Sequence, residues 1–297
     1  MEAVIETRNL SKRFGGKPAL NRLNLAVPKG AIFALLGDNG AGKTTTIRIL
    51  TGLLPADSGS ATILGQDCWS AASALRRRVA YVPERPRYYD WMTVAEIGWF
   101  TAGFHGGEFP VRFRDWTEKF ELDPKARLSS LSKGQYAKVG LALALAVDPE
   151  VLVLDEPTSG LDLFVRHEFL ESMVGLAAEG RTILISSHQV AEVERVASHV
   201  AFIAGGQLLL TASMDELRGR IVRVKLRYES QPPEAAALGT VLQRNGTGKQ
   251  WQAVLQDPRA DALESLTHAE GIHDVEVSHL HLEDIYCALL ARKEDAP

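Results

Sequence analysis

Gly37-Asp38-Asn39-Gly40-Ala41-Gly42-Lys43-Thr44 is the stretch that most restricts what this chain can fold into. It satisfies GxxxxGK[ST], a pattern that carries chemistry only between a strand and a helix. Both flanks fit. Residues 31–36 form an apolar run of buried-strand type, and residues 44–54 carry Ile47, Leu50, Leu53 and Leu54 at helical spacing. Glycines are required because backbone N–H groups must wrap phosphate oxygens without Cβ clashes. The helix start adds the positive end of its dipole. Gly37, Asn39, Gly40, Ala41, Gly42 and Thr45 are thus expected to line a phosphate site, with Lys43 neutralising β/γ oxygens and the Thr44 hydroxyl ligating Mg²⁺.

Strand and helix signals alternate beyond the loop, which predicts an α/β core with a mostly parallel sheet flanked by helices. Short apolar strands are expected at 79–83, 151–154 and 182–185. The second of these runs into Asp155 and Glu156. A carboxylate at the C-terminal end of a strand suits Asp155 to holding Mg²⁺, and Glu156, one residue on, is placed to activate a water. Residues 93–128 lack strand patterning, and Thr93 with Glu96 has capping-box spacing. An inserted helical subdomain is expected over about 91–146.

Past residue 219 the texture changes. Val222, Val224, Leu226 and Tyr228 alternate with Arg223, Lys225 and Arg227, the pattern of a half-buried strand with a basic outer face. A strand at 251–255, a helix at 259–270 capped by Gly271, a strand at 274–281 and a helix at 282–290 follow. Residues 1–219 and 220–297 therefore read as a main domain and a small α+β appendage. The appendage holds His268, His273, His279 and His281. His279 and His281 would share a strand face, but no further ligand has suggestive spacing, so they read as solvated or packing residues.

Composition narrows the function classes. A net charge of −4 argues against a nucleic-acid partner. Cys68 and Cys287 match no metal or redox spacing and read as reduced thiols. No run approaches the ~18 apolar residues needed to cross a bilayer, and Glu2 and Glu6 without an apolar segment are unlike a secretion signal. Any membrane role is expected to come through a partner.

With these motifs in order, the chain resembles the ATP-binding cassette of ABC transporters over about residues 3–217. Leu131-Ser132-Lys133-Gly134-Gln135 stands where the family carries its signature, usually LSGGQ. Ser159-Gly160-Leu161-Asp162 resembles the D-loop, His188 the switch histidine, and Phe14 the aromatic residue that stacks on adenine. Two departures stand out. Lys133 replaces a glycine, a variant familiar among ABC-2-type exporter ATPases, whose small α+β tail the appendage also resembles. Glu84 occupies the glutamine position of the Q-loop, where it could approach Mg²⁺ or water and adds charge beside Asp155 and Glu156.

The resemblance implies ATP and Mg²⁺ as ligands and a head-to-tail dimer of cassettes, from two copies or with a sister chain. Each ATP would lie between residues 37–45 of one cassette and Ser132, Gly134 and Gln135 of the other, with Asp162 nearby. Lys43, Glu156 and His188 would be catalytic. Hydrolysis would drive a separate transmembrane permease subunit, with a lean to export, from the cytoplasmic face of the membrane. The alternative is a soluble ABC ATPase not coupled to transport.

Overall fold

The computed structural model describes residues 2–294; Met1 and residues 295–297, the outer ends of the two expected regions, lie outside the described residues. The chain divides into two compact units. One runs through Gln189 and takes in Val196–Thr211; the other comprises Val190–Arg195 and the chain from Ala212 onward.

In chain order the first unit reads β1 (Ala3–Phe14), β2 (Lys17–Pro28), β3 (Ile32–Leu36), α1 (Lys43–Leu50), β4 (Ser58–Ile63), β5 (Gln66–Asp67), α2 (Ala72–Leu75) and β6 (Val79–Val82). Then come α3 (Val94–His105), α4 (Phe109–Lys119), α5 (Lys133–Ala146), β7 (Val151–Asp155), α6 (Leu163–Ala178) and β8 (Thr182–Ser187). After α7 (Val190–Val193), a piece of the second unit, β9 (His199–Ala204) and β10 (Gln207–Ser213) follow.

Two sheets build this unit. The six-stranded sheet has the order β10-β9-β3-β8-β7-β6, with parallel pairing from β9 across to β6. Strands β3, β7 and β8 are buried at every residue, as expected of strands covered on both faces. The other sheet, β2-β1-β4-β5, is antiparallel. Helix α1 lies in the core shared by both, where Ile47 and Leu50 pack with Leu10, Leu23, Phe33 and Val153. The sequence reading missed β1, β2, β4 and β5. Bulges break the alternation in β1, and Asn9 sits there at φ +47. Helix α1 is also shorter than expected, ending at Leu50 with Thr51 as its cap.

The helices between β6 and β7 include one with the reciprocal capping box at Thr93 and Glu96, both bonds formed. The apolar run 139–147 is the buried body of α5.

The second unit adds α8 (Met214–Arg220), β11 (Ile221–Tyr228), α9 (Ala235–Leu238), β12 (Thr240–Thr247), β13 (Gln250–Gln256), α10 (Ala260–Thr267), β14 (Ile272–His279) and α11 (Leu282–Glu294). Its antiparallel sheet has the order β12-β13-β11-β14. Val224 and Leu226 face a core with Trp251, Leu255, Leu238 and Leu266. Three expectations are corrected here. The last strand ends at His279, so His281 leaves the strand and the two histidines share no strand face. Helix α10 ends at Thr267, and Gly271 belongs to the turn that follows. The basic face of β11 is partly neutralised, since Arg223 pairs with Asp284 and Arg227 with Asp274.

Candidate active site

Parallel pairing brings the C-terminal ends of β3, β7, β8 and β6 side by side. In register, Leu36 lies opposite Ser187, Asp155 opposite Ser186, and Val82 opposite Leu154. The residues that continue these strands, Gly37, Glu156, His188 and Glu84, therefore emerge at one edge of the sheet, the usual ligand edge of an open α/β fold.

The loop between β3 and α1 has no room for side chains at two of its glycines. A Cβ on Gly37 would lie 2.3 Å from the Ile203 carbonyl oxygen. On Gly42, which adopts φ +110, it would lie 2.8 Å from that of Ala19. Lys43 is buried. Its Nζ donates to the carbonyls of Gly37 at 2.6 Å and Asp38 at 3.2 Å, and lies 3.1 Å from Glu156 Oε1. That last contact is ionic and lacks hydrogen-bond alignment, which leaves Oε1 without a hydrogen-bond donor. The other oxygen of Glu156 is 2.7 Å from His188 Nδ1 and accepts from the His188 backbone N–H at 3.3 Å. Lys43, Glu156 and His188 thus form one chain of contacts across three elements. Glu156 is also held at φ +48, a left-handed backbone costing roughly 1–2 kcal/mol for a residue with a Cβ. Its N–H donates to the Ser186 hydroxyl at 3.0 Å.

Asp155 accepts from the Ser186 hydroxyl at 2.6 Å and from the Thr44 hydroxyl at 3.2 Å. Burial raises its carboxyl above the ordinary range. The two hydroxyls pull it back down, and the charges of Glu156 and Glu84 push it further up.

Gly42, Lys43, Thr44, Glu156 and His188 border a cleft of about 510 Å³, together with Asn39, Gly40, Thr45 and Phe14, whereas Asp155 is bonded to Thr44 and is not itself part of the lining. Phe14 is half exposed at the tip of the β1–β2 hairpin, with the Lys12 ammonium 5.8 Å from its ring centroid. Glu84 reaches the cleft beside Arg85, 3.5 Å from it. Gly37 and Ala41 form the inner turn of the loop rather than the cleft wall. Among the described residues, no group of three or more His, Cys, Asp or Glu side chains could hold a metal by itself. Sequence reasoning missed Ser186 and Arg85. Ser186 ends an apolar strand in a Ser-Ser pair, the one signal that could have drawn notice.

Ser132, Gly134, Gln135 and Asp162 do not line this cleft. Ser132 caps α5, accepting from the Gln135 N–H at 3.2 Å while the Gln135 side chain accepts from the Ser132 N–H at 3.0 Å. Asp162 caps α6 through the Val165 N–H. The two helix starts touch: a Cβ on Gly134 would lie 2.8 Å from Val165. Lys138 and Glu168 pair farther along.

Comparison with known proteins bears on the family and the fold. The family described as ABC transporter matches residues 20–159. The Nod factor export ATP-binding protein I of Burkholderia lata is 39% identical over 210 residues, 69% of each chain. The daunorubicin/doxorubicin resistance ATP-binding protein DrrA of Streptomyces peucetius is 30% identical over 310 residues, 98% of this chain and 94% of that one. A solved ATP-binding subunit of an ABC transporter is 30% identical, covers 72% of this chain and 92% of that one, and superposes with a TM-score of 0.66. A cleft with a glycine loop, buried lysine and paired carboxylates, on a fold shared with these proteins, is that of an ATP-hydrolysing cassette: the chain belongs to the ABC transporter family, as an ATP-binding subunit.

Proposed function

We propose that this chain powers an exporter whose membrane-spanning permease is a separate polypeptide, that it works from the cytoplasmic face, and that it acts as an ATP-bridged cassette dimer. One observation carries the dimer: the cleft gathers the phosphate loop, Glu156 and His188, while Ser132, Gly134 and Gln135 stand outside it. One chain thus offers half a site at the cleft and the other half at the start of α5, and two chains head to tail complete both. The relatives named for export and drug resistance support the direction of transport. Among the described residues no helix is long and apolar enough to cross a membrane, so the permease is assigned to a partner.

In the cleft, the loop amides and Lys43 hold the phosphates of ATP, and Phe14 offers its exposed ring to the adenine. Thr44 and Asp155, two oxygen donors already 3.2 Å apart, suit a hard cation that takes its remaining ligands from phosphate and water. Mg²⁺ held there supplies charge neutralisation at the phosphate oxygens. Glu156 orients the attacking water and takes its proton. His188, fixed by Glu156, stabilises charge at the γ-phosphate. Lys43 exchanges its carbonyl and carboxylate partners for phosphate, which frees Glu156 for the water.

For the permease, the surface with the right chemistry is an apolar groove of about 460 Å³. Leu53, Leu75, Pro83, Tyr88 and Leu143 line it, and Arg76 and Arg87 stand at its rim. Concave apolar grooves of this kind receive amphipathic helices. Pro83 borders Glu84, which connects groove and cleft. Calorimetry should find ATP binding weakened by at least about tenfold in Lys43→Ala, the loss of one charge-assisted phosphate contact; unchanged affinity would refute the cleft assignment. Leu53→Asp, at an exposed position, should abolish co-purification with membranes while ATP binding persists.

A further inference from the structure

The start of α5 is held by a contact that neither capping nor core packing requires. The Tyr136 hydroxyl accepts from the backbone N–H of Tyr88 at 3.1 Å. The two rings lie 5.3 Å apart at a 39° tilt. Beyond that contact the Tyr88 ring runs under α5 to Gly140, where a Cβ would lie 2.8 Å from its hydroxyl. Gly140 is a poor helix former in the middle of a helix, and the space it leaves is filled by Tyr88. Tyr88 follows Glu84 by four residues, and Tyr136 follows Ser132 by four. Pro83 and Pro86 flank Glu84 and Arg85 and fix φ at both positions, so the segment from Glu84 to Tyr88 behaves as a short stiff arm.

We infer that Tyr136 and Tyr88 form a latch that transmits the position of Glu84, in the cleft of one cassette, to Ser132, Gly134 and Gln135, which face the ATP of its partner. The inference rests on the proposed head-to-tail dimer. Tyr136 touches no reacting atom and is a positioning residue. Moving Glu84 when nucleotide enters the cleft shifts the arm. The Tyr136 bond and the fit at Gly140 then carry that shift into α5 and aim its first turn. Glycine at 140 and tyrosine at 88 have a joint role in this reading, one as the socket and the other as the plug.

The test uses the full chain in a Glu156→Gln background, reading the ATP concentration at half-maximal dimerisation by size-exclusion chromatography. Adding Tyr136→Phe, which keeps the ring and removes the acceptor, should raise that concentration by about five- to tenfold, the usual effect of one lost hydrogen bond with a donor left unpaired. ATP affinity of the monomer, measured with Ser132→Arg to block closure, should stay within about twofold in the same comparison. Gly140→Ala should act in the same direction by displacing the Tyr88 hydroxyl, and Tyr88→Phe in the same chain should restore dimerisation. An unchanged midpoint in Tyr136→Phe, an equal loss of monomer affinity, or failure of Tyr88→Phe to rescue Gly140→Ala would each overturn the latch. Absence of any ATP-dependent dimer from Glu156→Gln alone would overturn the head-to-tail reading, and the latch with it.

Discussion

In the first unit, the charged side chains buried among the described residues are Lys12, Lys43, Asp155 and Glu156; Lys43 and Glu156 line the cleft, and Asp155 is bonded to Thr44 of its wall. In the second unit, Arg220, Arg223 and Arg227 pair with Asp257, Asp284 and Asp274 without any of them being buried. The difference is one of cost. Exposed pairs contribute about 0–1 kcal/mol and burden the fold little. Buried charges carry a desolvation penalty that pairing only partly offsets, and an apolar core of the same volume is often more stable. The first unit keeps an arrangement that stability alone would not select, and it keeps it at the end of four strands where a phosphate would sit. The second unit, with an apolar core under a polar surface, is built for folding.

That contrast is open to direct test. The largest effect is expected from Glu156→Gln, which retains size and one acceptor oxygen but cannot take a proton or carry charge. ATP hydrolysis, followed by phosphate release, should fall by roughly 10²–10⁴-fold, the range for a lost general base, with ATP binding retained. Hydrolysis at the wild-type rate would remove Glu156 from catalysis and dissolve the functional half of the comparison. Next comes Leu255→Ala in the second unit, at a fully buried position of its core. It should destabilise that unit by about 2–5 kcal/mol, seen as an earlier step in thermal or urea unfolding. The ATPase rate at 25 °C should be unchanged, and a parallel loss of hydrolysis would mean the two units are energetically one.

A smaller effect is expected at the edge of the cleft. Glu84→Gln removes a partly exposed charge that is felt at Asp155. Stimulation of ATPase by the membrane partner in reconstituted vesicles should change by roughly three- to tenfold, the scale of a modest coupling energy. Affinity for ATP should move by less. Equal stimulation in both proteins would confine the cleft's function to Lys43, Asp155, Glu156 and His188. The smallest effect concerns the thiols, one in each unit. Burial, with the charge of Asp67, pushes the Cys68 thiol up to about 12, whereas Cys287 is exposed on α11. A maleimide should label Cys287 alone in the folded protein without altering ATPase activity, and both cysteines only after unfolding. Labelling of Cys68 under native conditions would show that the first unit opens around its core.

What the chain discloses by itself is local. Residues 37–44 could be read as a phosphate loop because glycine spacing, a preceding apolar strand and a following helix are all encoded within about two dozen neighbouring positions. The same holds for the capping box at Thr93 and for the strand ending in Asp155 and Glu156. Strands whose pattern is broken by bulges or polar residues, such as β1 with Asn9 or β12 with Gln243, Arg244 and Asn245, stayed hidden because their pairing partners, not their own residues, define them. The strand order β9-β3-β8-β7-β6 was likewise out of reach, and it decides which side chains meet. Lys43, Glu156 and His188 are separated by more than a hundred and then more than thirty positions in the chain, and they touch because β3 and β7 both pair with β8 in parallel register. Tyr136 and Tyr88 meet for the same kind of reason. A motif specifies backbone conformation over a few residues; the distances between charges depend on the non-consecutive order of strands, which only the folded core enforces.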